Sequence, residues 1–144
     1  MSSVGRLLGT KGRQVFTISG KATVFEAISQ MDACNVGSLV VVNDATPCGM
    51  LTERDYLRRV ALEGRSSKTT LVEEIMSTEI EFVDPNTDLE ACMSMMARRH
   101  IRHLPVVEQG QLVGLLSMGD IVKHLVVERE STIQNLTDYI QGRA

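Results

Sequence analysis

Sliding the chain over itself by 65 residues aligns positions 17–60 with 82–125 without a gap. The identities are few (Ser29 with Ser94, Met31 with Met96, Leu39 with Leu104, Val41-Val42 with Val106-Val107, Gly49 with Gly114, Leu51 with Leu116, Asp55 with Asp120), but the apolar pattern is kept throughout. A fixed period constrains a fold more than local propensity does, because each copy must form the same unit and neither buries its apolar face alone. Two copies are too few for a solenoid, so the expected arrangement is two half-domains packed about a pseudo-twofold axis. At about 60 residues a copy is marginal by itself, and burial of one half against the other is expected.

Each copy reads in the same order. A short apolar strand, "VFTI" or "IEFV", comes first. A helix follows, with apolar residues at i, i+3, i+4 and i+7: Val24, Ala27, Ile28 and Met31 in one copy, Leu89, Cys92, Met93 and Met96 in the other. Thr23 and Asp88 stand where N-caps are needed. The runs "SLVVV" and "HLPVV" suit a mostly buried strand. After a turn ("NDATP" or "EQGQ") another strand ends at a hydroxyl, where the last helix begins. The predicted fold is therefore α/β (α+β), with the order β-α-β-β-α twice.

Preambles repeat as well: "VGRLL" at Val4–Leu8 and "VEEIM" at Val72–Met76, the second with a capping box expected from Thr70 and Glu73. These signals divide the chain into a first repeat with its preamble (1–62), a polar linker (63–70) and a second repeat (71–144). From Met118 to about Gly142 the sequence reads as one long helix, longer than the repeat requires. Ile133, Leu136 and Ile140 extend its apolar stripe, either onto its own chain or onto a second copy of the protein.

The composition excludes several classes. A formal charge of −3 argues against a phosphate-backbone-binding face, and 3% aromatic residues against base-stacking platforms. No apolar run approaches the roughly 20 residues of a membrane-spanning helix. Cys34, Cys48 and Cys92 have no CxxC spacing and read as reduced thiols of an intracellular protein. Arg6, Lys11, Arg13 and Lys21, with no acid in the first 25 residues, read as a solvated terminus, though they faintly resemble an organellar leader. The expected location is cytoplasmic, with the mature form of an organellar protein as the alternative.

The stretches "GMLTERDYL" at Gly49–Leu57 and "GLLSMGDIV" at Gly114–Val122 carry the candidate chemistry. Thr52 with Asp55, and Ser117 with Asp120, fit the capping box S/T-x-x-[DE], and a cap alone explains both. A ligand site is the other reading. The same glycine precedes each motif, the acid is the shorter Asp, and a strand-to-helix step presents free N–H groups to phosphate. An Asp there can accept both vicinal ribose hydroxyls. The two readings are compatible. Cations to offset phosphate are at hand in Arg54 and in "RRHIRHLPV", where Arg98 and Arg99 read as surface and Arg102 and His103 stand just before "LPV". The first copy has Val36, Gly37 and Ser38 at that place, so the two sites are expected to be unequal.

His100 and His103 lack the spacing and the partners of a metal pair, and no metal is expected. His124 reads as a surface residue, and Met93, Met95 and Met96 as adaptable core. No nucleophile with a base, opposed acids or phosphate-cradling lysine loop is evident, so catalysis is not expected.

The β-α-β-β-α order, "RHLPVV", the Gly-x-x-Thr/Ser-x-x-Asp step and "VEEIM" together resemble the cystathionine β-synthase (CBS) domain. Tandem copies resemble the paired form, the Bateman module, over nearly the whole chain, and "LTERDYLRR" and "YIQG" resemble stand-alone pairs of bacteria and plant organelles. The resemblance implies a non-catalytic regulator that binds AMP, ADP, ATP or NAD(H) in clefts between its repeats and acts on an unidentified protein partner or within a homodimer. It implies no nucleic acid or membrane partner. The implied binding residues are Thr52, Arg54, Asp55, Ser117, Asp120, Arg102, His103, Pro105, Thr17 and Ile18. A scaffold with vestigial clefts is the rival expectation.

Overall fold

A computed structural model describes residues 2–142. The elements are α1 (Val4–Lys11), β1 (Thr17–Ser19), α2 (Val24–Cys34), β2 (Ser38–Asn43), β3 (Thr46–Thr52), α3 (Glu53–Tyr56, continued by a π-helical turn Leu57–Ala61), α4 (Val72–Ile75), α5 (Leu89–Arg99), β4 (His103–Glu108), β5 (Gln111–Ser117) and α6 (Met118–Ile140). The 65-residue period is also a structural one. In the β2–β3 hairpin Leu39 faces Leu51 and Val41 faces Gly49, with a bulge after Val41. In the β4–β5 hairpin Leu104 faces Leu116 and Val106 faces Gly114, with a bulge after Val106. The turns at Asp44-Ala45 and Gln109-Gly110 have positive φ throughout, the backbone that matches the twist of two paired strands.

The halves differ at their first strand. β1 pairs parallel with β2, Ile18 facing Val41. The expected "IEFV" strand of the second half is reduced to a single bridge, Val83 to Val106. Two prolines account for this. In the first half Val40 N donates to Phe16 O and Gly20 N to Val42 O. The residues 65 positions on from these donors are Pro105 and Pro85, which have no N–H. The first half's strand is also shorter than "VFTI", covering Thr17–Ser19.

The preambles change partners. Val4, Leu7 and Leu8 of α1 are buried with Leu89, Cys92, Met96, Leu104, Leu116 and Ile121 of the second half. Val72 and Ile75 of α4 are buried with Val24, Met31, Leu39, Leu51 and Val60 of the first. The backbone joins follow the same exchange, Val4 N donating to Thr87 O and Val72 N to Ala22 O. Each core is thus closed by the segment that precedes the other copy. The repeated glycine serves this exchange: a Cβ on Gly49 would lie 2.7 Å from Met76 Sδ and 2.8 Å from Ser77 O, and one on Gly114 would lie 2.8 Å from Leu8 Cδ1.

Caps and ends depart from expectation in three places. The Thr70–Glu73 box does not form: Thr70 is buried and its hydroxyl donates to Ser66 O. The helix starts one residue later, where Glu74 accepts from Leu71 N at 2.6 Å. Asp88 occupies the N-cap position of α5 without a side-chain bond, whereas Thr23 caps α2 by accepting from Glu26 N. His124 is not a surface residue. Its side chain is 11% exposed, because the chain preceding α1 packs on α6 and Ser2 Oγ lies 2.9 Å from His124 Nε2.

Candidate functional site

Both Thr/Ser-x-x-Asp motifs are capping boxes. Thr52 Oγ1 accepts from Asp55 N at 3.2 Å, and Asp55 Oδ2 accepts from Thr52 N at 3.0 Å. Ser117 Oγ accepts from Asp120 N at 3.1 Å, and Asp120 Oδ2 accepts from Ser117 N at 2.9 Å. Each box spends one carboxylate oxygen on the cap. Among the described residues no cation pairs with Asp55, and its carboxylate stands in a cleft of about 480 Å³ between the halves. Gly37, Ser38, Thr52 and Arg54 form that cleft on the first half's side, and Glu79, His100, Arg102 and His103 on the second's.

A second hollow of about 730 Å³ adjoins it at the start of α6, lined by Ser117, Met118 and Gly119 and sharing Arg54, His100, Arg102 and His103 with the first. Arg102 and His103 therefore serve both hollows, a placement the repeat alone left open. The helix starts are not equivalent. Glu53 lies at the start of α3 and packs over Gly37, its Oε1 3.4 Å from where a Cβ would be. The corresponding residue on α6 is Met118, so the first turn of α3 carries two acids and that of α6 one.

His103, half-buried, lines both hollows. Burial lowers its pKa below the ordinary 6.5, Lys11 and Arg102 lower it further, and Asp120 opposes them. Arg102 and Arg54 line the same cleft and supply its permanent positive charge, with His103 beside them. His100 closes α5 in the left-handed region at φ 55°, as Asn35 closes α2. Thr17, Ile18 and Pro105 line neither hollow: Thr17 and Ile18 pair with Val40 and Val41, and Pro105 is buried in β4. Arg99 is exposed and pairs with Glu81 at 2.6 Å.

Asp120 is held differently from Asp55. Lys11 Nζ donates to Asp120 Oδ2 at 2.6 Å and to Leu115 O at 2.5 Å. Burial raises the Asp120 pKa, but the hydrogen bonds from Lys11 and Ser117 outweigh it and leave the value below the ordinary 3.8. The stability this contributes is complete above that ordinary value, and it is lost as pH falls through the lower folded one. Asp120 faces a groove between α1 and α6 with Thr10, Lys11 and His124, apart from the hollow at Ser117.

The sequence marks Lys11 only as part of a basic N-terminal segment, and neither it nor Glu79 is a candidate site residue from motif alone. The preambles align at an offset of 68, Val4 with Val72 and Leu8 with Met76, which places Lys11 opposite Glu79. That charge reversal was the available signal.

A family model described as CBS domain matches residues 10–62 and again 72–127. The CBS domain-containing protein CBSX3, mitochondrial, of Arabidopsis thaliana is 42% identical over 125 residues, which cover 83% of this chain and 61% of that protein's length. The CBS domain-containing protein YhcV of Bacillus subtilis (strain 168) is 43% identical over 121 residues, 84% of each chain. The solved CBS domain structure NE2398 superposes with a TM-score of 0.81 at 41% identity, over 87% of this chain and 98% of that one.

Proposed function

The chain belongs to the CBS domain family as a pair of repeats, and on that premise we propose that it is a non-catalytic regulatory module that binds an adenosine nucleotide and modulates a protein partner. The observation that carries the reading is the unpaired Asp55 carboxylate in a cleft whose opposite wall brings Arg102. The carboxylate accepts the ribose hydroxyls. The phosphate lies toward Arg102 and the start of α6, away from Glu53. AMP, ADP, ATP and the adenosine half of NAD(H) share these groups, and all five nucleotides are to be titrated by calorimetry. Binding without turnover is expected, and no heat with any of them refutes the reading. Arg102→Ala is expected to weaken AMP about ten- to hundredfold, the worth of a charge-assisted contact of about 1.5–3 kcal/mol, and to leave adenosine unchanged. Equal losses for AMP and adenosine would make Arg102 structural.

The homodimer is proposed from α6. Ile133, Leu136 and Ile140 are 56%, 59% and 82% exposed, so among the described residues the stripe that extends the helix is left uncovered. Light scattering at micromolar concentration is expected to give twice the 15.9 kDa chain mass, and Leu136→Glu to return it to one. A wild-type monomer refutes the dimer.

A further inference from the structure

The two halves dispose of their paired aspartates in opposite ways. Lys11 is the last residue of α1, a helix whose Val4, Leu7 and Leu8 are buried in the second core, so its side chain starts from a fixed point. Its ammonium meets Asp120 Oδ2, the oxygen that also accepts from Ser117 N, at 2.6 Å, so it neutralises the carboxylate and takes up space beside it. It also fills a backbone role. In the first half Ser77 N donates to Met50 O at 2.9 Å, whereas in the second the equivalent carbonyl, Leu115 O, receives Lys11 Nζ at 2.5 Å. The counterpart of Lys11 is Glu79, an anion on the wall of the Asp55 cleft, which has no means of neutralising Asp55.

We propose that Lys11 occupies the Asp120 half-site from within the chain, so that one nucleotide binds per chain, at Asp55, and removal of the ammonium opens a second place. This rests on the nucleotide reading above and assigns its stoichiometry to one residue. Both anchors of the lysine are on α6 or the strand leading into it, and the contact therefore holds α1 against the start of α6.

The test is calorimetric titration with AMP of the wild-type protein, of Lys11→Met, and of Lys11→Gln, which keeps a donor for Leu115 O if the methionine variant folds poorly. One AMP per chain is expected for wild type and two for the variants. Asp120→Asn added to a Lys11 variant is expected to remove the second event, and Asp55→Asn the first. Two AMP per wild-type chain, or one in both Lys11 variants, overturns the proposal. No binding by any of these proteins overturns it together with the nucleotide reading. No binding by wild type with one AMP in the variants upholds the lysine's role and refutes the Asp55 placement.

Discussion

Asp55→Ala is expected to lower the affinity for AMP and for adenosine alike by about a hundredfold. Two hydroxyl donors to an ionised acceptor contribute at least about 1.5 kcal/mol each, and about 1.4 kcal/mol is a factor of ten. Because the ribose is common to nucleotide and nucleoside, the loss should not depend on phosphate, which separates Asp55 from Arg102. Alanine also removes the acceptor for Thr52 N, at a cost of up to about 1–2 kcal/mol of stability. Asp55→Asn separates the two effects: its amide oxygen can still receive Thr52 N while the charge is gone. It should melt close to wild type and still bind at least tenfold more weakly. Calorimetry paired with thermal unfolding reads both. Unchanged affinity in the asparagine variant would mean that the motif is a cap and nothing more.

Gly49→Ala is expected to be the more damaging of the two glycine substitutions. Its Cβ would lie 2.8 Å from Ser77 O, and that carbonyl accepts from Met50 N at 3.0 Å while Ser77 N donates to Met50 O. The backbone can move away only by breaking the bridge that joins the α4 segment to β3. Overpacking of this kind costs about 1–3 kcal/mol, and the lost pairing adds to it. The expected fall in Tm is roughly 5–10 °C for a chain of this size. Gly114→Ala meets the methyls of Leu8 at 2.8 and 2.9 Å. Those are the ends of a rotatable side chain, though a buried one, so a loss about half as large is expected. Thermal melts of both variants decide it, and a Gly114 loss equal to or larger than that of Gly49 would refute the backbone argument.

The sequence by itself determined the repeat and the local elements that period and side-chain chemistry dictate. Helices α2 and α5, the two hairpins, the capping boxes at Thr52 and Ser117 and the long α6 all lie where the local pattern placed them. These features are short-range: a 3.6-residue stripe, a strand run bounded by turn residues, and a hydroxyl three residues before an acid each report their own neighbourhood. The shortening of the second half's first strand to a single bridge was legible in principle, since Pro85 and Pro105 are plain in the sequence. Reading it required knowing which N–H groups the sheet uses.

Only the tertiary structure decided how the segments are shared. Val4–Leu8 and Val72–Met76 carry similar apolar faces, and either could close either core. The choice rests on which geometry brings the ends of α1 and α4 to Thr87 and Ala22, a long-range condition that no local pattern encodes. The fates of the two aspartates are set by that choice. Because α1 crosses to the second half, Lys11 arrives at Asp120, and Asp55 is left facing Glu79 and Arg102 across an open cleft. Two motifs alike in residue and spacing became unlike in charge because segments distant in the chain supply their surroundings.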